Sequence, residues 1–424
     1  MRSPHASPTG CLEHTDGGGP RVGIVLARYP VLSETFILRE LHELWRTGMV
    51  LSIYAFGSSP DALSHPMVNA LKVPVITLPE RHRRLHIARA FAFWSTRAPK
   101  KLLQSLRHTG GREAMHAAMG ALYLARQAIP LAPQHFHAHY LSSPAAAART
   151  MAILHGTTFS ATAHAHDIFL SDPDELGMRI RQAAWVRTIS RYNRRLLLKM
   201  AGHVPRRRVQ VVRIGVDLGW HEYQRPNLSP TVCRITTIGR LVAIKGVDVL
   251  LRALSLIPRD RWVLSVAGTG PMEGSLRALS HALKIENSVH FLGPLVQEQI
   301  RELLTRTDLF VLAAHRDESG NMDGLPVVLV EALASGVPSI ATTLSGIPEL
   351  LATGAGVLVK PDEPEELATA ISRLMGDASL RRRVSECGRR RVERGWDLRI
   401  RCNDLARRLK ELCDPELARP PDCP

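Results

Sequence analysis

The segment VCRITTIGRLVAIKGVDVLLRAL, residues 232–254, joins a short apolar run to a stretch with helical periodicity. The run over 232–239 predicts a buried strand, and the residues after Lys245 and Gly246 predict a helix. The same alternation recurs along the chain on both sides of this segment. Strands that alternate with helices favour parallel sheets covered by helices on both faces.

Apolar runs of strand length fall into two series, separated by a polar break that contains proline, from Gln224 to Pro230. The runs before the break are RVGIVLA (21–27), LSIYAF (51–56), VPVITL (73–78), HFHAHY (135–140), TFSATAH (158–164), AWVRTIS (184–190) and VQVVRI (209–214). The runs after it are VCRITTIG (232–239), WVLSVAG (262–268), SVHFLG (288–293), DLFVLAA (308–314), VPSIAT (337–342) and GVLVK (356–360). The two series predict an α/β protein with two Rossmann-like, doubly wound domains.

These patterns divide the chain into four segments. We expect a disordered tail over 1–20, a first domain over 21–225, a second domain over 230–378, and C-terminal helices over 379–424 that pack back on the first domain. The tail consists of Gly, Pro and polar residues and lacks the apolar stretch of a secretory signal.

The composition excludes several classes of protein. The 424 residues are 45% hydrophobic and 22% charged, which is typical of a globular chain and not of a disordered, collagenous or disulfide-scaffold one. No apolar run reaches about 18 residues, so no transmembrane helix is expected. The six cysteines form no C-x-x-C pair. Their spacing argues against a zinc site and a disulfide framework, and it favours a reducing cytoplasm.

The positive charge is concentrated in two segments. The formal net charge is +16, and residues 81–112 and 187–213 each carry nine Lys or Arg and no acidic residue. Phe91, Phe93 and Trp94 lie between the cations of the first segment. This segment is either an ordinary solvated face or a surface for an anionic partner, such as a phosphorylated ligand, an anionic membrane or nucleic acid.

Ligands of doubly wound domains bind beyond the C-terminal ends of the strands, so candidate residues are sought there. Gly239 and Arg240 end a predicted strand, and Lys245 follows five residues later at the start of a helix. Two cations beside helix amides suit a diphosphate, and the alternative is two solvated cations in a loop. The turn AGTGP (267–271), which contains Gly270, either allows close approach of a phosphate or sugar or is a plain tight turn.

Acidic residues follow another predicted strand of the second half. The loop DESGNMDGLP (317–326) contains Asp323, and Glu331 lies in the apolar helical run VVLVEALA (327–334). A carboxylate on an apolar helix needs a hydrogen-bonding partner, which is either a ligand hydroxyl or a group within the protein. Glu349 lies near the start of a further predicted helix, where an interaction with the helix dipole explains it best.

Histidines gather at strand ends of the first half. His137 and His139 end one predicted strand, and His164, His166 and Asp167 follow another. An H-x-H pair fixes no tetrahedral ligand set and no carboxylate-rich loop completes one, so no metal site is expected. A catalytic or sugar-binding histidine is favoured, and a buried structural histidine is the alternative.

Four motifs of the second half, taken in order and spacing, resemble glycosyltransferase family 4. They are GRLVAIKGVDVLLRAL (239–254), VAGTGPMEGSLRAL (266–279), FLGPL (291–295) and DGLPVVLVEALASGVPSIATTLSGIPEL (323–350). The first half resembles the bacterial branch that makes exopolysaccharides of the colanic-acid type, through RYPVLSETFILRELHEL (28–44), HFHAHY (135–140) and FSATAHAHDIF (159–169). The resemblance covers about residues 21–400. It implies the GT-B architecture, two Rossmann-like domains facing a cleft, and retention of anomeric configuration.

The resemblance carries family roles only to residues that match. Arg240 and Lys245 match the two basic positions that hold the donor diphosphate. Glu331 matches the glutamate that binds the nucleotide ribose. Asp323 stands, one methylene shorter, where a glutamate is usual, which leaves the donor choice open. His164 matches the histidine that approaches the reacting sugar.

The implied site residues form three groups. The catalytic group is His164, Asp323 and Glu331. The donor-binding group is Gly239, Arg240, Lys245, Gly270, Leu295, Gly324, Leu325 and Glu331. The acceptor or sugar contacts are Ser33, Glu34, His139 and Asp167. No metal ligand is implied.

The implied function is transfer of a hexose from a UDP-sugar or GDP-sugar co-substrate to a growing, lipid-linked exopolysaccharide acceptor, without a cofactor. The enzyme is expected in the cytoplasm, peripheral at the inner membrane face. An anionic membrane surface is a hypothetical partner, and no nucleic acid is expected. A GT-B-type sugar-nucleotide epimerase and a transferase with a soluble acceptor are alternatives. A non-enzymatic nucleic-acid binder would explain the charge but leaves the strand-end motifs unused.

Overall fold

The computed structural model describes residues 18–31, 34–58, 66–107, 109–227 and 231–414, and within them the chain forms two compact units. The first unit contains the described residues up to Thr188, Arg194–Val212 and those from Cys402 onward. The second unit contains Ile189–Asn193 and Arg213–Arg401. The chain therefore passes between the units several times.

A parallel sheet forms the centre of the first unit. Its described strands are β1 (Arg21–Leu26), β2 (Val50–Ala55), β3 (Val75–Thr77), β4 (His135–His139), β5 (Thr158–Thr162), β6 (Trp185–Thr188) and β7 (Val209–Val211). Their order is β3-β2-β1-β4-β5-β6-β7. The order of strands reverses between β1 and β4, which is where doubly wound sheets bind ligands.

A second parallel sheet forms the centre of the second unit. Its described strands are β8 (Cys233–Ile238), β9 (Trp262–Ala267), β10 (Val289–Gly293), β11 (Leu309–Leu312), β12 (Ser339–Thr342) and β13 (Val357–Val359). Their order is β10-β9-β8-β11-β12-β13, so the reversal lies between β8 and β11.

Helices connect the strands of both sheets. From the start of the chain they are α1 (Thr35–Arg46), α2 (Pro66–Ala70), α3 (Arg83–Arg97), α4 (Pro99–Leu106), α5 (Arg112–Gln127), α6 (Ser143–His155), α7 (Ala165–Leu170), α8 (Pro173–Gln182) and α9 (Arg191–Ala201). They continue as α10 (Val247–Ser255), α11 (Glu273–Ala282), α12 (Gln297–Thr305), α13 (Val327–Ala334), α14 (Ile347–Leu351), α15 (Pro364–Gly376), α16 (Ala378–Gly395) and α17 (Leu398–Cys413).

Strand β1 shows how alternating side chains build the core of the first unit. Val25 packs in a cluster with α3, α5 and α6, whereas Ile24 packs in another cluster with α1 and α17. Successive side chains of a strand point to opposite faces, so the sheet needs apolar cover on both faces. Leu405 and Leu409 of α17 supply part of that cover.

The predicted fold class is confirmed. Each predicted strand has a counterpart whose ends differ by a few residues, and both sheets are parallel. Residues 81–128 form three helices, α3, α4 and α5. The first division falls at Ala98, which has φ −151° because the residue before a proline avoids the helical region.

The segments expected from the sequence can be compared with the two units. The sequence places breaks at 225–230 and 378–379, whereas the compact units divide at Thr188, Asn193, Val212 and Arg401. Helix α16 packs on α13 in the second unit, and the part of α17 after Arg401 lies in the first. Most of the expected disordered tail lies outside the described residues.

None of the helices in the described part of the chain is long and apolar enough to cross a membrane. The aromatic residues of the basic segment 81–112 differ in exposure. Trp94 is buried and its indole N–H donates to the Leu122 carbonyl, and Phe93 is half-buried beside the Arg126 guanidinium. Only Phe91 of the three is exposed, so two aromatic side chains belong to the packing of the first unit.

Candidate functional site

The donor residues implied by the sequence lie at one edge of the second sheet. Gly239, Arg240 and Lys245 follow β8, whereas Asp323 and Glu331 follow β11. The two strands are neighbours at the reversal of strand order. Loops that leave neighbouring parallel strands at this point diverge and form a crevice between them. The predicted diphosphate and carboxylate residues therefore share one edge of the sheet.

Glycines hold the backbones of this edge close together. Gly246 has φ +61°, and a Cβ there would lie 1.9 Å from the Ala313 carbonyl oxygen at the end of β11. A Cβ on Gly270 would lie 2.4 Å from the Leu241 carbonyl oxygen. The Gly-rich turn thus packs against the loop after β8, which explains Gly270 without a ligand.

An ion pair joins the loops after β8 and β11. The Lys245 ammonium donates to Asp323 Oδ2 over 2.7 Å, and both side chains are largely shielded from water. The Arg240 guanidinium is exposed and has no hydrogen-bond or ion-pair partner among the described residues. The edge therefore presents two cations: Lys245, which is paired with a carboxylate, and Arg240, which is exposed to solvent.

Glu331 is buried on α13 and has a partner within the protein. Its side chain is only 6% exposed, and Oε1 lies 3.9 Å from Nε2 of His221. The other ring nitrogen of His221 lies 3.3 Å from Oγ of Ser335, the residue that follows α13. A distance of 3.9 Å is longer than a hydrogen bond. A carboxylate has two acceptor oxygens, which is the chemistry that a ligand hydroxyl needs.

The loop before α13 offers backbone donors. Within the described residues, the amides of Gly324 and Leu325 donate to no backbone carbonyl, although the Gly324 carbonyl accepts from Gly346. Leu295 is half-buried in the loop between β10 and α12. Glu349 accepts from the Tyr192 amide in the first turn of α9, so it interacts with the dipole of α9 as well as lying in α14.

Four implied residues of the first unit also come together. Glu34 follows β1, His139 ends β4, and His164 and Asp167 follow β5. The Tyr140 hydroxyl donates to Glu34 over 2.7 Å, and its ring centroid lies 4.6 Å from that of His164. Ser33 lies outside the described residues. These side chains surround the reversal between β1 and β4.

Glu34 also borders a small hollow that opens to solvent. The hollow is lined by Leu26, Arg28, Tyr29, Ile37 and Val68, among others. Burial raises the pKa of Glu34, although the hydrogen bond from Tyr140 lowers it. The hollow thus combines an apolar wall with a carboxyl group and a guanidinium.

Asp167 and His139 are buried too deeply to form the surface of this site. Asp167 is 0% exposed and its Oδ2 accepts from the amides of Leu141 and His164. It therefore ties the loop after β4 to the start of α7. The His139 ring stacks on that of His164 with centroids 5.7 Å apart. Both residues support His164, whose Nε2 has no hydrogen-bond partner among the described residues.

A buried ion pair lies beneath these histidines. The Arg187 guanidinium contacts Glu40 Oε2 at 2.6 Å, and Glu40 Oε1 lies 3.6 Å from His139 Nε2. Sequence reasoning missed this pair. A cation in the apolar strand WVRT (185–188) and an acid on the apolar side of α1 were the available signals. Each needs a partner when it is buried, but these signals do not show which residue that partner is.

Burial keeps the histidines of this unit neutral. It lowers the pKa of His164 to about 3, with Arg187 adding to the effect, and it lowers that of His135 to about 3 as well. Burial also lowers the pKa of His137 and of His139 well below its ordinary value. His135 and His137 share hydrogen bonds with Ser160. At neutral pH, His164 therefore acts through hydrogen bonds and not through positive charge.

These shifts predict that the first unit loses stability below about pH 6.5. The unfolded chain takes up protons on histidines that stay neutral in the fold, and each one lowers the unfolding free energy by up to about 1.4 kcal/mol per pH unit. The raised pKa values of Glu34 and Asp167 oppose this effect, but four histidines outnumber two carboxyl groups. Urea unfolding followed by circular dichroism between pH 7.5 and 5 measures the slope.

The variant His135→Gln removes one buried histidine, so it should reduce the change of unfolding free energy with pH by up to about 1.4 kcal/mol per pH unit. The variant His281→Gln should leave this slope unchanged, because His281 is exposed on α11. Equal stability at pH 7.5 and pH 5 would contradict the neutral state of the buried histidines.

Residues 222–391 match the family model described as Glycosyl transferases group 1. The matched residues lie within the second unit. The match contains every residue of the donor group, from Gly239 to Glu331. His221, the partner of Glu331 within the protein, lies one residue before the match.

Curated relatives point to the same class of enzyme. The "Putative colanic acid biosynthesis glycosyltransferase WcaL" of Escherichia coli (strain K12) is 26% identical over 416 residues, which cover 92% of this chain and 100% of that protein. The amylovoran biosynthesis glycosyltransferase AmsK of Erwinia amylovora is 28% identical over 212 residues, 49% of this chain and 52% of that one. These similarities support glycosyltransferase activity in the biosynthesis of exopolysaccharides or other glycans.

A third relative is named for its donor. The GDP-mannose-dependent monoacylated alpha-(1-6)-phosphatidylinositol monomannoside mannosyltransferase of Corynebacterium glutamicum is 34% identical over 165 residues. The alignment covers 38% of this chain and 42% of that protein.

Solved structures share the fold. Anabaena Alr3699/HepE in complex with UDP superposes with a TM-score of 0.71 at 17% identity, covering 92% of this chain and 99% of that one. WaaG, a glycosyltransferase of lipopolysaccharide biosynthesis, gives a TM-score of 0.62 at 16% identity, covering 91% and 98%. The two Rossmann-like units therefore have the same fold as these GT-B structures.

Proposed function

We propose that this protein transfers a sugar from a nucleotide-diphosphate sugar to a lipid-linked exopolysaccharide acceptor, with retention of anomeric configuration. The observation that carries the proposal is the group of donors and carboxylates at the β8–β11 edge of the second unit, within the residues that the family model matches. Arg240 and Lys245 suit a diphosphate, and Glu331 suits the hydroxyls of a ribose. The retaining outcome rests on the resemblance to glycosyltransferase family 4.

The proposed chemistry needs stabilisation of a leaving nucleotide. Breaking a sugar–phosphate bond builds negative charge on the diphosphate, and fixed cations stabilise that charge. Lys245 already has a carboxylate partner in Asp323, so a diphosphate and Asp323 would share its ammonium. The amides of Gly324 and Leu325 supply further donors beside the sugar.

The donor is proposed to be a UDP-sugar or a GDP-sugar. Support comes from the UDP complex of HepE and from the GDP-mannose dependence in the name of the Corynebacterium relative. A thermal-shift screen of nucleotide sugars tests the proposal. A donor present at about 100 times its Kd should stabilise the fold by roughly 2.7 kcal/mol. Stabilisation by none of the UDP-sugars and GDP-sugars would contradict this donor class.

The acceptor is proposed to bind the first unit. Glu34, which borders the hollow, can accept hydrogen bonds from sugar hydroxyls. A lipid-linked acceptor is inferred from the likeness to colanic acid and amylovoran transferases. Comparing a lipid-diphosphate sugar with the free oligosaccharide separates this proposal from a soluble acceptor.

Transfer is expected to need no divalent metal. Arg240 and Lys245 would balance the charge of the diphosphate, a part that metal ions take in many phosphate sites. Turnover should therefore keep at least about half its rate after chelation with EDTA and buffer exchange. Loss of turnover that magnesium or manganese restores would contradict this expectation.

The first unit is also proposed to associate with anionic membranes through the segment 81–112. Exposed cations of α3, such as Arg83 and Arg84, lie near the exposed apolar side chains Leu85 and Phe91. Each cation near an anionic surface contributes about 1 kcal/mol, and salt screens this attraction. Because Trp94 is buried, the attraction is expected to be mainly electrostatic.

Flotation with anionic and neutral liposomes measures this association. Binding to anionic vesicles at low salt should fall at least about tenfold when Arg83, Arg84 and Arg89 are all changed to Glu. The matched control also changes three arginines to Glu, namely Arg382, Arg394 and Arg399, which are exposed on α16 and α17. This control should bind anionic vesicles about as well as the native chain does. Equal absence from both kinds of liposome at low salt would remove the membrane role.

A further inference from the structure

His315, the third residue after β11, lies between two hydrogen-bond acceptors. Its Nε2 lies 2.6 Å from the Ala243 carbonyl oxygen, and its Nδ1 lies 2.5 Å from Asp362 Oδ1. A carbonyl and a carboxylate have no proton to donate. Both ring nitrogens must therefore donate, and an imidazole with two N–H groups is the protonated form.

The main chain of His315 contacts the same turn. Its amide donates to the Ile244 carbonyl over 3.2 Å, so the amide and the ring hold two successive carbonyls. The turn is the 3₁₀ segment Ala243–Lys245, which ends in the lysine of the proposed diphosphate site. His315 therefore fixes the backbone from which Lys245 projects.

Asp362 anchors the other side of the ring. It follows β13, two strands away from β11 in the sheet order. Its side chain is 59% exposed, so water as well as His315 stabilises the carboxylate, whereas the histidine side chain is 17% exposed. The protonated ring thus connects the loops after β8, β11 and β13.

We propose that His315 is a positioning residue for Lys245, and that it holds the turn only while its imidazole is doubly protonated. The proposal rests on the proposed role of Lys245 in donor binding. Loss of one proton leaves a ring nitrogen with a lone pair opposite an acceptor, so one of the two bonds must break. Nucleotide binding should then weaken as pH rises.

Other charges act on the ring as well. Asp317 lies in the same loop and interacts with His315 electrostatically, and its carboxylate is held by Ser319 and Asn321. Lys245 is the nearby cation on the turn. Two carboxylates, Asp317 and Asp362, therefore act on the ring.

The protonation state can be measured without any ligand. In the full chain labelled with ¹⁵N in its histidine rings, NMR should show a histidine at pH 7 with both nitrogens protonated. That signal should vanish in His315→Gln and persist in His281→Gln, whose histidine is exposed on α11. A His315 ring with a single N–H at pH 7 would overturn the proposal.

Calorimetric titration with UDP and with GDP from pH 6 to pH 8.5 tests the link to Lys245. The native chain should bind the nucleotide that it accepts about tenfold more weakly at the upper pH than at the lower, as expected for one charged hydrogen bond. In Asp362→Asn the amide can donate to a neutral ring, so the affinity should change much less with pH. His315→Gln should bind about tenfold more weakly than the native chain at pH 6 and show no such change.

Comparing the variants with the native chain also separates the effect of His315 from the protonation of the nucleotide itself. The terminal phosphate of a nucleoside diphosphate takes up a proton near pH 6, and this contribution is the same for all three proteins. Identical pH profiles for the native chain, Asp362→Asn and His315→Gln would overturn the proposed positioning role. Absence of UDP and GDP binding at every pH would overturn the donor role of Lys245, even where the NMR signal shows the doubly protonated ring.

Discussion

Replacing Lys245 with alanine is expected to lower kcat for sugar transfer by about 100-fold to 1000-fold, the cost typical of losing one preorganised donor to a developing anion. The ammonium lies at the β8–β11 edge, where its partner Asp323 holds it in place. Removing it also leaves Asp323, a partly buried carboxylate, without its ion pair. Steady-state assays of nucleotide release measure the effect.

The matched control for this variant is Lys284→Ala. Lys284 is exposed and follows α11, so it lies at the edge of the sheet opposite to the strand ends that carry the site. It should retain at least about half the native rate, because an exposed charge far from the site contributes little. A folded Lys245→Ala protein with normal turnover would contradict the diphosphate role.

Replacing Glu331 with glutamine is expected to lower kcat/KM for the donor by about 100-fold. Glutamine keeps the volume of the buried side chain but replaces one carboxylate oxygen with an amide donor. A hydrogen bond between a charged acceptor and a ligand hydroxyl contributes about 1.5–3 kcal/mol. The donor dependence of initial rates, with a circular dichroism spectrum for the fold, measures the change.

His221→Gln is the informative control, because Glu331 contacts His221 within the protein. If the carboxylate served only that contact, both variants would lose the same activity. We expect His221→Gln to keep at least about ten times the kcat/KM of Glu331→Gln. Equal losses in the two variants would assign Glu331 to the packing of α13 instead of to the donor.

The sequence predicted the fold and the edge of each sheet that carries the candidate site. Apolar runs such as WVLSVAG (262–268) need burial on both faces, and this requirement sets the strands of a parallel sheet. Ligand sites in such sheets follow the strand ends, so Arg240, Lys245 and Glu331 could be located before the structure was known. Periodicity and loop position were sufficient for these inferences.

The partners of the site residues could not be read from the sequence. The Lys245–Asp323 pair joins residues 78 positions apart, and the Glu40–Arg187 pair joins two different layers of the first unit. Such contacts depend on how loops and helices pack, which no local pattern encodes. Gly270 illustrates the same limit, because the contact that requires glycine is with the backbone of Leu241.

His315 shows what the structure adds to the donor site. A histidine after a buried strand carries no signal of its own in the sequence. Its significance comes from two acceptors, Ala243 and Asp362, which lie 72 and 47 positions away in the chain. Only their simultaneous contact with the ring defines its protonation state.

Acceptor-dependent release of nucleotide tests the central claim most directly. The purified chain is incubated with UDP-sugars and GDP-sugars, with and without a lipid-diphosphate sugar acceptor, and nucleotide and glycolipid product are quantified together. We predict that one donor releases nucleotide at a rate at least about tenfold higher with the acceptor, in amounts equal to the product formed. Nucleotide released at the same rate without any acceptor, as a sugar-nucleotide epimerase with a hydrolytic step would give, would contradict the assignment as a transferase.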